Sequence, residues 1–141
     1  MAFDDAVSDP GHFAQEVFGV EACGHGLGGH ERGVVAGGDR RPLVLYDLGT
    51  ALLAADSLDA SIDALERATF TTNAELRSRA LYNLGLAYLK RGLRTEGEPR
   101  ATALRNARKA LRTVLLERPG DREAQWNYEL SLRAPQGGGG G

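Results

Sequence analysis

The sequence predicts an all-α fold of antiparallel helix pairs, and three observations support this prediction. Apolar residues recur at intervals of three and four in five successive segments of residues 42–133, which is the period of an α-helix. Short turns rich in Gly, Pro, Asn and Asp separate these segments. No stretch has the alternating pattern of a strand, and LYDLGTALLAAD, beginning at Leu45, is nearly repeated 36 residues later as LYNLGLAYLKRG.

Composition divides the chain into three parts. Residues 1–41 and 137–141 hold many of the 19 glycines, and glycine disfavours helices and strands. We therefore predict an irregular, poorly structured segment at 1–41, a helical repeat domain at 42–133 and a flexible tail at 134–141. A domain of this size folds alone only if its core is efficiently packed.

The first two predicted helices form a pair. The first begins after Pro42, and Asp56-Ser57 interrupts it and can cap the second. TFTTNAE then forms a turn in which Asn73 can cap a third helix. The predicted apolar stripes of the first two helices are Leu45, Leu48, Leu52 and Ala55, and Leu58, Ile62, Leu65 and Ala68.

Three further helices follow. Gly92 is expected to end the third as a left-handed C-cap, and the polar stretch at 93–100 is expected to be a linker. Pro119-Gly120 closes the fourth helix and Asp121 can cap the fifth. The apolar residues of these helices are Leu76, Ala80, Leu84, Ala87 and Tyr88; Leu104, Ala107, Leu111, Val114 and Leu115; and Ala124, Tyr128, Leu130 and Leu132.

The repeated motif extends beyond its glycine. It reads Leu45-x-x-Leu48-Gly49-x-x-Leu52 then Ser61-x-x-x-Leu65, and Leu81-x-x-Leu84-Gly85-x-x-Tyr88 then Ala107-x-x-x-Leu111 and Pro119. This pattern resembles the tetratricopeptide repeat (TPR), whose unit has 34 residues against 36 here. The resemblance implies a TPR-like α-solenoid of about two and a half repeats.

Within such a repeat, Gly49 and Gly85 would let the second helix of each pair approach the first, with the small residues Ser61 and Ala107 opposite them. The second pair departs from the pattern by about ten extra residues, RTEGEPRATA, so that either its helices are longer or a loop protrudes. Glu129 stands where a third glycine is expected, which suits an exposed capping helix.

TPR arrays bind partners on a concave surface lined by first helices, so the resemblance implies a non-catalytic protein–protein interaction module or scaffold for a peptide or partner protein. The first helices repeat an aromatic residue followed by Asp or Asn. The rings can hold ligand side chains and the amides can bond a ligand backbone, or the rings can instead pack between helices. The predicted groove residues are Tyr46, Asp47, Thr50, Arg79, Tyr82, Asn83, Leu86, Lys90, Trp126 and Asn127.

The alternative function is structural self-assembly. The groove would then be filled by the chain's own N-terminal segment, with FAQEVF at 13–18 as the candidate, or by another copy. Because at least three repeats are normally needed for stability, we expect the chain to self-associate as a homo-oligomer or to use a partner's surface.

Charge is unevenly distributed although the net charge is only −2. Residues 1–75 carry 4 basic and 13 acidic side chains, whereas residues 76–118 carry 11 basic and 3 acidic ones. Such polarity can steer an acidic partner or favour head-to-tail contact. Arg105, Arg108, Lys109 and Arg112 form a basic stripe, either a solvated face or an anionic docking site, and without interleaved aromatics we expect no nucleic acid.

No catalytic or cofactor site is predicted. Cys23, His25 and His30, with His12 further upstream, offer thiolate and imidazole ligands for a zinc-dependent module, which is a remote alternative. Beyond His25-x₄-His30 they lack a paired zinc-ligand spacing, and the glycines around them make ordering costly. The glycines lack the G-K-[ST] of a phosphate loop, and no nucleophile–base set appears. We therefore expect neither metal nor cofactor, and no enzymatic activity.

The sequence also contains no run of apolar residues long enough to span a membrane and no signal peptide at its start. These features predict a soluble chain without membrane insertion, and for the sequence given they predict a cytoplasmic location. The ending YNLG…A…LERPGDREAQWNYELSLR with its Gly/Gln/Pro tail is also similar to TPR proteins of bacterial aerotolerance (Bat) operons, which accompany von Willebrand A-domain proteins. That resemblance implies a bacterial protein with a partner at the cell envelope.

Overall fold

The computed structural model describes residues 39–135, and within this range the chain is all-helical, without a strand. The predicted all-α class is therefore confirmed. Most of the predicted irregular segment at 1–41 and of the tail at 134–141 lies outside the described residues. The five helices are α1 (Arg41–Ala54), α2 (Leu58–Ala68), α3 (Ala74–Leu93), α4 (Gly97–Glu117) and α5 (Arg122–Arg133).

Each helix packs against the next one in the chain, and α3 lies at the centre. It contacts α2 and α4 most extensively and also touches α1 and α5. Gly85 faces Leu111 while Gly92 faces Leu104, so α3 and α4 are antiparallel. The largest buried side chains of this core are Tyr46, Leu65, Leu76, Leu86, Leu89, Leu104, Leu111 and Val114.

Two predicted helix caps are confirmed. The Asn73 side chain accepts a hydrogen bond of 2.8 Å from the Leu76 backbone N–H. The Asp121 side chain accepts one of 3.0 Å from Ala124. These bonds satisfy N–H groups that have no partner inside the first turn of a helix. Ser57 precedes α2 without a side-chain cap bond.

The turn between α3 and α4 differs from its prediction. Gly92 lies inside α3, where an added Cβ would stand 2.9 Å from Leu104 Cδ2, so this glycine permits close helix packing and is not a C-cap. The predicted linker at 93–100 is too long, because α3 extends to Leu93 and α4 already begins at Gly97, which has a φ of 63°. Only residues 94–96 connect the two helices. The extra residues of the second pair therefore extend its helices to 20 and 21 residues.

The face of α1 that packs inward was predicted only in part. Leu45 of the predicted stripe packs against the core, but the stripe leaves out the most deeply buried residues. Leu43, Tyr46 and Leu53 are buried, whereas the predicted stripe residue Leu48 is half exposed and Val44 is 61% exposed. A helix that is apolar on every side offers no periodicity from which to choose the buried face. In α5 the predicted apolar residue Leu132 is likewise exposed.

Candidate functional site

A pocket of about 230 Å³ opens between α1, α3 and the start of α5. Four residues of the predicted groove line it, namely Tyr46, Arg79, Tyr82 and Asn83. The remaining wall comes from the turn between α4 and α5 and from the first turn of α5. It consists of Arg118, Asp121 and Glu123. We call this site the interhelical pocket.

The tyrosine of α3 is fixed by α5. Tyr82 is almost fully buried, and its hydroxyl donates a hydrogen bond of 3.2 Å to Glu123 Oε2. The same hydroxyl accepts one of 3.3 Å from Asn127 Nδ2. Tyr46 on α1 is still more deeply buried. Both rings are therefore held by the surrounding helices before any ligand arrives.

Both arginines of the pocket make partly exposed ion pairs. Arg79 Nη2 is 2.9 Å from Glu75 Oε1, and Arg118 Nη2 is 3.8 Å from Asp121 Oδ2. Ion pairs with this degree of exposure contribute little to stability, so their guanidinium groups can exchange partners at small cost. The pocket thus combines two aromatic walls with donors and acceptors of both charges.

Several predicted groove residues serve contacts between helices. Asn83 Nδ2 donates a hydrogen bond of 2.9 Å to Thr50 Oγ1, which joins α3 to α1 inside the protein. Lys90 Nζ is 3.1 Å from Asp56 Oδ1. The pKa of Asp56 is lowered, first by its hydrogen bond with Arg94 and then by Lys90. Five of the predicted groove residues are buried and leave little surface for a ligand, namely Thr50, Asn83, Leu86, Lys90 and Asn127.

The other two predicted groove residues lie outside the pocket lining. Asp47 is half-buried on α1, and Trp126 on α5 is 47% exposed. Three lining residues were not predicted: Arg118, Asp121 and Glu123. Arg118 and Asp121 flank the Pro119-Gly120 turn, which returns the chain to the first helices. Their charge and their position beside this turn could have indicated from the sequence that they line the pocket.

The glycines of the repeat hold the helices of each pair close together. An added Cβ on Gly49 would stand 2.5 Å from Leu65 Cγ, and one on Gly85 would stand 2.8 Å from Leu111 Cγ. Ser61 Oγ donates a hydrogen bond of 2.7 Å to the Gly49 carbonyl. A Cβ added at Gly85 would also stand 3.6 Å from the Ala107 carbonyl oxygen. The Pro119 carbonyl accepts a hydrogen bond from the Gln125 side chain beyond the turn.

Within residues 39–135, no group of three or more His, Cys, Asp and Glu side chains could hold a metal ion. The candidate ligands Cys23, His25 and His30 lie outside the described residues. In the same described range, none of the helices combines the length and apolar character needed to cross a membrane.

Comparison of the chain with protein-family models, with curated proteins and with solved structures found no match. The fold and the interhelical pocket define an all-α protein whose successive helices pack together, with a small polar and aromatic pocket at one side. The repeated motif remains the basis for any narrower assignment.

Proposed function

We propose that this chain is a non-catalytic protein–protein interaction module or scaffold, which binds a peptide or a segment of a partner protein in the interhelical pocket. The observation that carries this proposal is the position of the pocket. It lies where α1, α3 and α5 meet, on the helices that a TPR array uses for binding, and it contains Tyr46, Arg79 and Tyr82.

The proposal includes a TPR-like α-solenoid of about two and a half repeats. The two helix pairs support it by using the same close contact, between Gly49 and Leu65 in one pair and between Gly85 and Leu111 in the other. The contacts of α3 with both α1 and α5 also support it, because stacked repeats bring successive first helices together.

An extended peptide suits the chemistry of the pocket. Arg79 and Arg118 can bind a carboxylate or backbone carbonyls, and Asp121 and Glu123 can accept from backbone N–H groups or a basic side chain. The two tyrosine rings offer an apolar wall for one ligand side chain. Because the rings are already held in place, binding does not have to order them.

A peptide-display selection on the purified chain tests this function. The pocket variant is Arg79→Ala/Arg118→Ala, which spares the buried tyrosines. Its matched control is Arg41→Ala/Arg133→Ala, which also removes two arginines from exposed ion pairs but lies outside the pocket lining. We expect selected peptides to bind the wild type and the control equally and to lose at least about tenfold in affinity for the pocket variant, since each charged hydrogen bond contributes ~1.5–3 kcal/mol.

Fluorescence anisotropy with labelled peptides would measure these affinities. Selected peptides that bind the pocket variant as tightly as the wild type would place the working surface elsewhere. Failure to enrich any peptide over a no-protein selection would count against peptide binding altogether.

The second candidate is self-assembly, in which the N-terminal segment or another copy covers an apolar surface. The outward face of α1 favours it, because Val44, Leu48, Ala51 and Ala55 are all exposed there and none is polar. Two large aliphatic side chains side by side on an exposed helix face commonly mark a surface that something else covers.

Comparing the full chain with a chain that starts at Asp39 tests this candidate. If residues 1–38 cover α1, we expect their removal to lower the midpoint of thermal unfolding and to increase binding of a hydrophobic dye. If another copy covers α1, the shortened chain should keep its oligomeric mass in sedimentation, and Leu48→Lys should reduce that mass to the monomer's. A full chain that is monomeric and unaffected by the deletion would rule the candidate out.

A further inference from the structure

The outward faces of α2 and α4 carry matched stripes of opposite charge. The stripe on α2 is acidic and that on α4 is basic, and in each the spacing is four then three, which keeps the residues on one side of the helix. Beyond each stripe stands an exposed apolar residue, Phe70 at 82% and Leu116 at 74% exposure. The stripes consist of Asp59, Asp63 and Glu66, and of Arg105, Lys109 and Arg112.

The two stripes occupy equivalent positions. Leu65 on α2 packs against Gly49 as Leu111 on α4 packs against Gly85, and the two leucines are 46 residues apart. The same offset of 46 relates Asp59 to Arg105, and it relates every other member of one stripe to its counterpart, as well as Phe70 to Leu116. The stripes therefore occupy equivalent positions on α2 and α4, each relative to the glycine of its own helix pair.

The helices α2 and α4 also run in the same direction. Close contacts show that α4 is antiparallel to α3. Asp59 near the start of α2 pairs with Arg91, at 3.2 Å, near the end of α3. Since α2 and α3 are contacting helices joined by a short turn, α2 is antiparallel to α3 as well.

We propose that these stripes form the interface of a homodimer, in which α2 of one copy lies beside α4 of a second copy. A two-fold axis parallel to the helices and between α2 and α4 preserves helix direction. It brings the acidic stripe of each copy to the basic stripe of the other, with Phe70 towards Leu116. Because the axis is two-fold, the same contact forms twice.

Charge complementarity within one sequence is the reason for choosing a second copy as the occupant. The carboxylates of Asp59 and Asp63 remain largely exposed in spite of their pairs with Arg91 and Arg67, and Glu66 accepts a hydrogen bond from the Tyr88 hydroxyl. On the other stripe, Arg105 pairs with Glu98 at 3.0 Å. No carboxylate of residues 39–135 forms an ion pair with Lys109 or Arg112, and both side chains are exposed. Single exposed ion pairs are weak, so a dimer built on them depends on the whole set and on low salt.

This dimer is independent of the proposed peptide binding. The interhelical pocket is lined by α1, α3 and the region from Arg118 to Glu123, and no residue of either stripe lines it. The two surfaces can therefore be tested separately, and the failure of one proposal does not affect the other.

A charge-swap experiment tests the dimer by sedimentation equilibrium at low salt. The acidic stripe is reversed in Asp59→Lys/Asp63→Lys and the basic stripe in Lys109→Glu/Arg112→Glu. Each variant alone then presents two stripes of like charge, and we expect the dissociation constant of its dimer to rise at least about tenfold. An equimolar mixture of the two variants restores complementarity at both contacts, and we expect it to form a heterodimer.

The wild type provides a second, variant-free measurement. We expect its dimer to dissociate at about 1 M NaCl, where the Debye length is only ~3 Å. Circular dichroism of each variant establishes that it is folded. A wild type that is monomeric at low salt, a dimer that salt leaves unchanged, or a folded mixture that stays monomeric would each overturn the proposal. So would an acidic protein bound to the α4 stripe of an otherwise monomeric chain.

Discussion

Replacing Gly49 with alanine is expected to lower the free energy of unfolding by about 2 kcal/mol. The new Cβ would stand 2.5 Å from Leu65 Cγ and 3.2 Å from the Leu65 backbone nitrogen. Leu65 has no exposed surface, so α1 and α2 would have to move apart. Such overpacking typically costs ~1–3 kcal/mol, and the higher helix propensity of alanine offsets up to ~1 kcal/mol of that cost.

Gly120→Ala is the matched control, because an added Cβ at that position has no neighbour within 4 Å. We expect it to change the free energy of unfolding by less than about 0.5 kcal/mol in urea titrations followed by circular dichroism. Equal losses in the two glycine variants would show that close packing at Gly49 is not what limits stability.

A double variant identifies the cause of the Gly49 effect. Leu65→Ala alone should cost ~2–5 kcal/mol, because it empties a buried site. Once that side chain is gone, the methyl group of Gly49→Ala has room. The combined loss in Gly49→Ala/Leu65→Ala is therefore expected to be smaller than the sum of the two single losses, which is the non-additivity of residues in contact. Strict additivity would contradict the clash.

The parts of the fold that the sequence predicted are those governed by local chemistry. Asn73 and Asp121 cap helices through bonds to residues three positions away. The buried apolar face of α2 is unambiguous, because Ile62 and Leu65 are buried while Asp59 and Asp63 are exposed. In such a helix the apolar period alone identifies the inner face.

The incorrect predictions concern features that only packing decides. Val44 and Leu48 are as apolar as the buried Leu43 and Leu53, so α1 has no polar side that would mark its exposed face. Gly92 has the position and the residue type of a C-cap, but it lies within α3, where Leu104 of α4 packs against it. That contact joins residues on different helices and has no local signal.

Prediction of the pocket was limited for the same reason. Tyr46, Tyr82 and Arg79 were predicted from the repeated positions of the first helices, and they do lie together. Glu123 enters only because the chain returns beside α3 some forty residues later, where it accepts from the Tyr82 hydroxyl. Nor could the sequence distinguish an asparagine that faces a ligand from one that joins two helices.

Asn83 joins two helices, and its replacement by alanine is expected to lower the free energy of unfolding by about 2–3 kcal/mol. The Asn83 side chain is almost fully buried and donates to Thr50 across the contact between α3 and α1. Alanine removes that donor from the buried Thr50 hydroxyl and leaves a void. Urea titration of the variant beside the wild type measures the loss.

Thr50 and Asn83 can also be replaced together, which separates the contribution of their hydrogen bond from that of packing. Removing one partner of a buried hydrogen bond costs more than replacing both with apolar groups of similar shape. Thr50→Val/Asn83→Leu is therefore expected to lose less stability than the sum of its two single changes.

Peptide binding by Asn83→Ala decides the role of the amide. If this variant unfolds like the wild type but no longer binds selected peptides, the amide binds the ligand and the bond to Thr50 does not stabilise the fold. A destabilised variant that retains peptide binding would assign Asn83 to the joint between α1 and α3, which sets the width of the pocket.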